Sequence, residues 1–179
     1  MLSQLYSALF LLIPIVIGGV LHMFILTYGW LAFLKIPVYP KWFGANKTWH
    51  GFIVMPLVTI LGVFCAQLIE QSLSLKPLLT PYPAILLGLA LGLGYIIFEL
   101  PNSFIKRRLG VPPGETPQRF RYFFILIDQL DSAFGFILVY YFFIKLHISI
   151  AFILLLIFPF VALIIKRLLF ILKLKKHYH

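Results

Sequence analysis

Five runs of about 20 apolar residues, at roughly 8–34, 51–71, 83–104, 121–144 and 148–169, leave little chain from which a water-soluble domain could be built. Each is long enough to cross a hydrocarbon core as a helix. In lipid a helix satisfies all of its own backbone hydrogen bonds, which no open strand can do. The expected fold is therefore all-α, a polytopic membrane protein with five transmembrane helices in a single domain, 1–179. Charged residues make up 11% of the chain, less than half the share usual in soluble domains. No long polar stretch or fixed-period repeat points to a second domain. The first run has no basic residue before Lys35 and no small-residue cleavage pattern, so it is expected to stay as a helix rather than be removed as a signal. Pro14 and Gly18-Gly19 are the places where it could bend or loosen.

Basic residues are spread unevenly over the connections. Lys35, Lys41 and Lys47 fall between the first two spans, and Lys106, Arg107, Arg108, Arg119 and Arg121 between the third and fourth. Lys166, Arg167, Lys173, Lys175 and Lys176 follow at the C-terminal end, while Lys76 and Lys145 alone lie on the opposite side. The positive-inside bias then puts the N-terminus outside and the C-terminus in the cytoplasm. The expectation is a multi-pass protein of the cell membrane whose cytoplasmic loops are 35–50 and 105–120. Both loops are broken by Pro and Gly: Pro37, Pro40 and Gly44 in one, Gly110, Pro112, Pro113, Gly114 and Pro117 in the other. They carry eight cations to one face, so polar chemistry is expected there. Cys65 is the single cysteine, which excludes an intrachain disulfide, and it reads as a small apolar residue.

Against this background two acids stand out. Asp128 and Asp131 lie three residues apart inside RYFFILIDQLDSAFGFILVYYFFI, and they are two of five acidic residues in the chain. A carboxylate at membrane depth is costly unless a cation, a partner or a water-filled cavity compensates it. On a helix the pair sits about 60° apart around the axis and roughly 4.5 Å apart along it, a spacing at which both could share one divalent ion. Mg²⁺ takes one or two carboxylates together with waters and substrate phosphates. The alternatives are neutralisation by a basic residue of a neighbouring helix, or a proton or cation pathway. At the end of the third span, FELPNSFIKRR puts Glu99, Ser103 and Lys106 on one helix face at i, i+4, i+7. Lys106, Arg107 and Arg108 could equally be headgroup-facing cations of the ordinary kind.

Other features carry less. Gly88 and Gly92 have the GxxxG spacing of close helix packing, and no strand precedes them as a phosphate loop would need. His22 and His147 are isolated, and the terminal KKHYH lacks a partner cluster, so no histidine metal site is expected. Trp49 reads as an interfacial anchor rather than a base-stacking platform.

The blocks NKTWHGF (46–52), NSFIKRRLGVPPG (102–114) and DQLD (128–131) resemble the CDP-archaeol synthase family, small five-span relatives of the CDP-diacylglycerol synthases. The larger relatives carry a similar Ser-x-x-Lys-Arg segment followed by an Asp-x-x-Asp helix. The resemblance implies transfer of a cytidylyl group from CTP to a lipid phosphate, with release of pyrophosphate and with Mg²⁺ as cofactor. It assigns Ser103, Lys106, Arg107, Asp128 and Asp131 to catalysis, the two aspartates as metal carboxylates. It assigns Asn46, Lys47, Thr48, His50, Glu99 and Arg108 to substrate binding. His50 departs from the Arg common in the family after Lys-Thr-Trp, and the ELPNS segment departs from an Asp-containing one, leaving ether and ester lipids both open. The implied partners are CTP, an anionic lipid phosphate and membrane lipids, with a homo-oligomer open and no nucleic acid. The competing class is a small cation or proton transporter relaying through Glu99, Asp128 and Asp131. A phosphotransferase acting on CDP-alcohols would need a longer four-Asp pattern, which is absent.

Overall fold

The apolar runs become helices whose ends follow local chemistry. A computed structural model describes residues 2–116 and 120–172, so Arg119 and the terminal Lys173, Lys175, Lys176, His177 and His179 lie outside the described residues. The helices are α1 (Leu2–Thr27), α2 (Pro40–Phe43), α3 (Trp49–Ser72), α4 (Ala84–Arg108), α5 (Arg121–Ile144) and α6 (Ile148–Ile171). Five of them, all but α2, are long and apolar enough to cross a membrane. Among the described residues no β-strand forms; one isolated bridge joins Pro37 to Thr48.

Several boundaries differ from the sequence reading. The first helix ends at Thr27 rather than near 34, because the chain turns at Gly29 with φ +72° and then makes a short 3₁₀ turn over Ala32–Leu34. It runs through Pro14 as one helix. The first loop holds its own helical turn, α2, with Pro40 at the first position, where its missing N–H costs nothing. The third span continues past residue 104 to Arg108, so Lys106, Arg107 and Arg108 are helical residues and not loop residues.

Packing follows from small residues, as expected where lipid supplies no hydrophobic drive between helices. A Cβ added at Gly88 would stand 2.4 Å from the Ile60 backbone, and one at Gly92 2.4 Å from that of Pro56, so α4 lies directly on α3. On the other face of α4, a Cβ at Gly135 would be 2.1 Å from the Gly94 carbonyl oxygen. α1 meets α3 in the same way, at Gly62 against Pro14 and Gly18 against Thr59. Buried Leu11, Leu87, Leu91, Phe136, Tyr140 and Leu154 fill the space between. The Tyr140 hydroxyl, completely buried, donates to the Leu11 carbonyl at 2.8 Å. Outward, Leu57, Leu61, Phe64 and Leu68 form an exposed stripe along α3 at helical spacing. Such a stripe would be a liability in water and is an ordinary lipid face in a bilayer.

The far end of α3 carries an acid that hydropathy alone did not single out. Glu70 is 2% exposed and accepts from the backbone N–H groups of Leu78, Leu79 and Thr80 at 2.7–3.1 Å. Gln67 donates to the carbonyls of Leu79 and Tyr82. Together they tie down the connection to α4 at the end opposite the cationic loops.

The α4–α5 contact gives a direct test. Gly135→Ala should destabilise by about 1–3 kcal/mol, the usual cost of overpacking. Gly19→Ala, with open space around it, should be neutral or slightly stabilising through helix propensity. Thermal unfolding of both variants in detergent, compared with the parent, measures the difference.

Candidate active site

The C-terminal half of α4 and the N-terminal half of α5 run side by side beyond the Gly94–Gly135 contact, and there they change from apolar to polar. On α4, Glu99, Asn102, Ser103 and Lys106 recur at i, i+3, i+4 and i+7, and all four line a cavity of about 720 Å³. α5 supplies Asp128, Gln129 and Asp131, α6 supplies Lys166, and the two loops close the rim with Asn46, Lys47 and Glu115.

Within the cavity the charged groups form one chain of contacts. Asn102 Nδ2 donates to Asp128 Oδ1 at 2.6 Å and to Asp131 Oδ2 at 2.8 Å, bridging the two carboxylates. Lys106 Nζ lies 2.6 Å from both oxygens of Asp128. Ser132 Oγ is 2.9 Å from Glu99 Oε1 and 3.1 Å from Asp131 Oδ1, with one proton to share between them. Glu99 Oε2 closes the chain with an ion pair to Lys47. Thus Lys47, Glu99, Ser132, Asp131, Asn102, Asp128 and Lys106 are linked in sequence across the first loop, α4 and α5. Each of these partly buried carboxylates has a donor, which offsets the cost of placing acids within a helix bundle.

The first loop is shaped to deliver Lys47. The Val38 N–H donates to the Lys47 carbonyl at 2.9 Å and the Trp49 N–H to the Ile36 carbonyl at 3.0 Å, so a hairpin-like pairing fixes the residues before α3. The loop also locks onto the second one. Gly44, at φ +84°, leaves room for Pro113 and Arg107, and Gly114, at φ +85°, leaves room for the Asn46 amide. Both positions combine a left-handed backbone with close approach, which glycine alone accommodates without strain. Burial works against the charge of Lys47, but the Glu99 carboxylate more than offsets this and raises its pKa above the ordinary lysine value.

Most residues chosen from sequence converge here: Asn46, Lys47, Glu99, Ser103, Lys106, Arg107, Asp128 and Asp131 all line the cavity. Thr48, His50 and Arg108 do not. Thr48 pairs through its backbone with Pro37. His50 is 1% exposed and points at the Trp30 carbonyl, 3.2 Å from Nε2, with its ring beside His22. Arg108 is exposed and stacks over Phe104. Trp49 is exposed and packs on Phe52, away from the cavity.

Polar cavity residues that escaped the sequence reading include Asn102, Gln129 and Lys166, with Glu115, Thr116 and Arg121 beside them. Asn102 sits inside a recognised block, and its i+3 position from Glu99 was the available signal. Gln129 and Lys166 had none: Lys166 read as one more positive-inside residue, yet its Nζ bonds Gln129 Oε1 at 2.7 Å inside the cavity. Arg107 brings Nε and Nη1 into buried positions where, among the described residues, neither has a hydrogen-bond partner. An orphaned guanidinium in a polar cavity is suited to an anion.

A second, apolar cavity of about 250 Å³ lies between α1, α3, α4 and α6, lined by residues such as Ile15, Met55, Ile96, Phe158 and Leu169. It shares Glu99, Asp128 and Lys166 with the polar one. The donor set for a cation is oxygen only, from Asp128 and Asp131. Among the described residues no group of three or more His, Cys, Asp or Glu side chains is placed to hold a metal ion. Two carboxylates lining a polar cavity suit a hard divalent ion that keeps waters and takes phosphate oxygens.

Fold and cavity together define a polytopic helical membrane protein with a charged, cation-rimmed site sunk into one end of the bundle. The chain belongs to the CDP-archaeol synthase family: the family model described as CarS-like, CDP-archaeol synthase, matches residues 1–179. A CDP-archaeol synthase of Staphylothermus marinus is 37% identical over 100 residues, covering 56% of this chain and 48% of that protein. A CDP-archaeol synthase of Pyrococcus furiosus is 41% identical over 76 residues, 40% of each chain. The matched region thus spans about half or less of these curated relatives. No solved structure matches the chain.

The Lys47–Glu99 pair yields a prediction. Lys47→Met leaves Glu99 without its cation and should cost about 3 kcal/mol, whereas Lys47→Met/Glu99→Gln should recover most of the loss. Because the folded pKa of Lys47 is raised, its stabilisation is fully present below the unfolded lysine value and fades only as pH rises through the folded one. Unfolding midpoints of the two variants at pH 7 and above pH 10 check both statements.

Proposed function

We propose that the protein transfers the cytidylyl group of CTP to a lipid phosphate, giving a CDP-lipid and pyrophosphate. The observation that carries this reading is the junction of a polar, cation-rimmed cavity with an apolar one through Glu99, Asp128 and Lys166. A reaction between a water-soluble polyanion and an anionic lipid needs such a junction. Membership of the CDP-archaeol synthase family supports the same reaction, and the names of both curated relatives agree with it. A relay of protons or cations finds no counterpart among them.

In the reaction an ionised phosphate oxygen of the lipid attacks the α-phosphorus of CTP, the α–β phosphoanhydride bond breaks, and pyrophosphate leaves. The nucleophile is already ionised at pH 7, so no general base is required. Catalysis then rests on positioning and on neutralising charge. Asp128 and Asp131 would hold Mg²⁺, which when bound supplies neutralisation of the triphosphate. Lys106, paired with Asp128 through a flexible side chain, is in reach of the same phosphates. Arg107, with its unpartnered nitrogens, receives the nucleotide's terminal phosphates and the departing pyrophosphate. Ser103 donates to a phosphate, and Asn46 and Lys47 close the rim over the nucleotide. Glu99 serves as the counter-charge that fixes Lys47.

The distribution of basic residues supports an outside N-terminus, a cytoplasmic C-terminus and a site open to cytoplasmic CTP, in the cell membrane. The lipid partner carries a phosphate monoester on an apolar body; the second cavity is large enough for the part next to the phosphate, and ether and ester lipids both stay open.

Purified protein given CTP, Mg²⁺ and either phosphatidic acid or phosphorylated archaeol should release pyrophosphate. Failure with every lipid phosphate tried would sink the proposal. Asp131→Asn should lower turnover by about 10² or more at limiting Mg²⁺, and near-parental turnover would remove Asp131 from the metal site.

A further inference from the structure

The cations of the polar cavity are not equally committed. Lys47 is paired with Glu99 and Lys106 with Asp128. Lys166 Nζ donates to a neutral partner, Gln129 Oε1, at 2.7 Å. It projects from α6, whose preceding residues from Ile150 to Ile165 are apolar throughout. The carboxylates of Glu99, Asp128 and Asp131 act on it across the cavity, but among the described residues none forms an ion pair with it, so its ammonium keeps donors for a further anion.

Its position narrows which anion. Three ionisable residues, Glu99, Asp128 and Lys166, line both cavities, and two of them are carboxylates that repel phosphate. Lys166 is therefore the attractive charge at the junction among the described residues. Arg107, the cation with orphaned nitrogens, lines the polar cavity and not the apolar one. The two cations thus suit two different phosphates. One belongs to a ligand lying wholly in polar space. The other belongs to a ligand with its charge at the boundary and its apolar body beyond it.

We propose that Lys166 is a substrate-binding residue that holds the phosphate of the acceptor lipid at the mouth of the apolar cavity, separate from the nucleotide phosphates. This rests on the cytidylyl-transfer reading of the same site. The part of the lipid next to its phosphate enters the apolar cavity beside Met55 and Phe158, and the Gln129 amide orients the lysine before the lipid arrives.

Lys166→Gln and Lys166→Arg, each confirmed as folded by its unfolding midpoint, separate charge from structure, since Gln keeps polarity and a hydrogen bond while Arg keeps the charge. With dioleoyl phosphatidic acid in mixed micelles, Lys166→Gln should raise the KM for lipid tenfold or more and leave the KM for CTP within twofold. Lys166→Arg should restore most of the loss. A rise confined to the CTP KM, equal rises in both, or an unmoved lipid KM would overturn the assignment. Should the parent protein turn over no lipid phosphate, the reaction reading fails while binding still tests Lys166. Native mass spectrometry should then find phosphatidic acid retained over diacylglycerol by the parent and not by Lys166→Gln, and equal retention would overturn it. Adding inorganic phosphate to that binding mixture separates a lipid site from a simple anion site: phosphatidic acid should stay bound at millimolar phosphate, and its complete displacement would contradict the proposal.

Discussion

The two amide protons of Asn102 hold the site together. Without them Asp128 and Asp131 would be two like charges on adjacent turns of one helix, each only partly exposed. With them, each carboxylate receives a hydrogen bond from the same nitrogen, at 2.6 and 2.8 Å, and α4 is stitched to α5 at the point where both turn polar. Lys106 on one side and Ser132 with Glu99 and Lys47 on the other extend this into a chain that ends in a cation at both ends.

That chain depends on backbone spacing set elsewhere. α4 can bring Glu99, Asn102 and Lys106 against α5 because Gly94 and Gly135 let the two backbones nearly touch about one to three turns away. Its opposite face rests on α3 through Gly88 and Gly92. The positive-φ glycines of the loops, Gly44 and Gly114, do the corresponding work at the rim, letting the two loops interlock over Arg107 and Asn46. Rigid helices carry the charges, and small residues decide where those charges meet.

Much of this was legible in the sequence. Hydropathy shows five spans, and the helix phase of Glu99, Ser103 and Lys106 correctly places one face of α4 on the cavity. GxxxG spacing marks the α3–α4 contact. The rest depends on tertiary contacts that no local pattern encodes. Lys166 lies about forty residues from the aspartates, and a basic residue at the end of a span is the commonest thing a membrane helix carries, so nothing distinguished it. His50 sits in a motif-like block next to cavity residues, but the turn into α3 directs it toward His22 and the Trp30 carbonyl. Arg107 and Arg108 are neighbours in sequence, yet the helix sends one into the cavity and the other onto Phe104. The continuation of α4 to Arg108 explains this difference, and a boundary at 104 conceals it.

The reaction proposed brings two anions to the carboxylate pair and joins them through one phosphorus atom. Following the label from CTP into lipid tests this most directly. With membranes containing the protein and a lipid phosphate, CTP labelled at the α-phosphate should put label into the organic-soluble product, and CTP labelled at the γ-phosphate should leave all of it in water as pyrophosphate. Entry of the γ-label into lipid, or of neither label, would contradict the account.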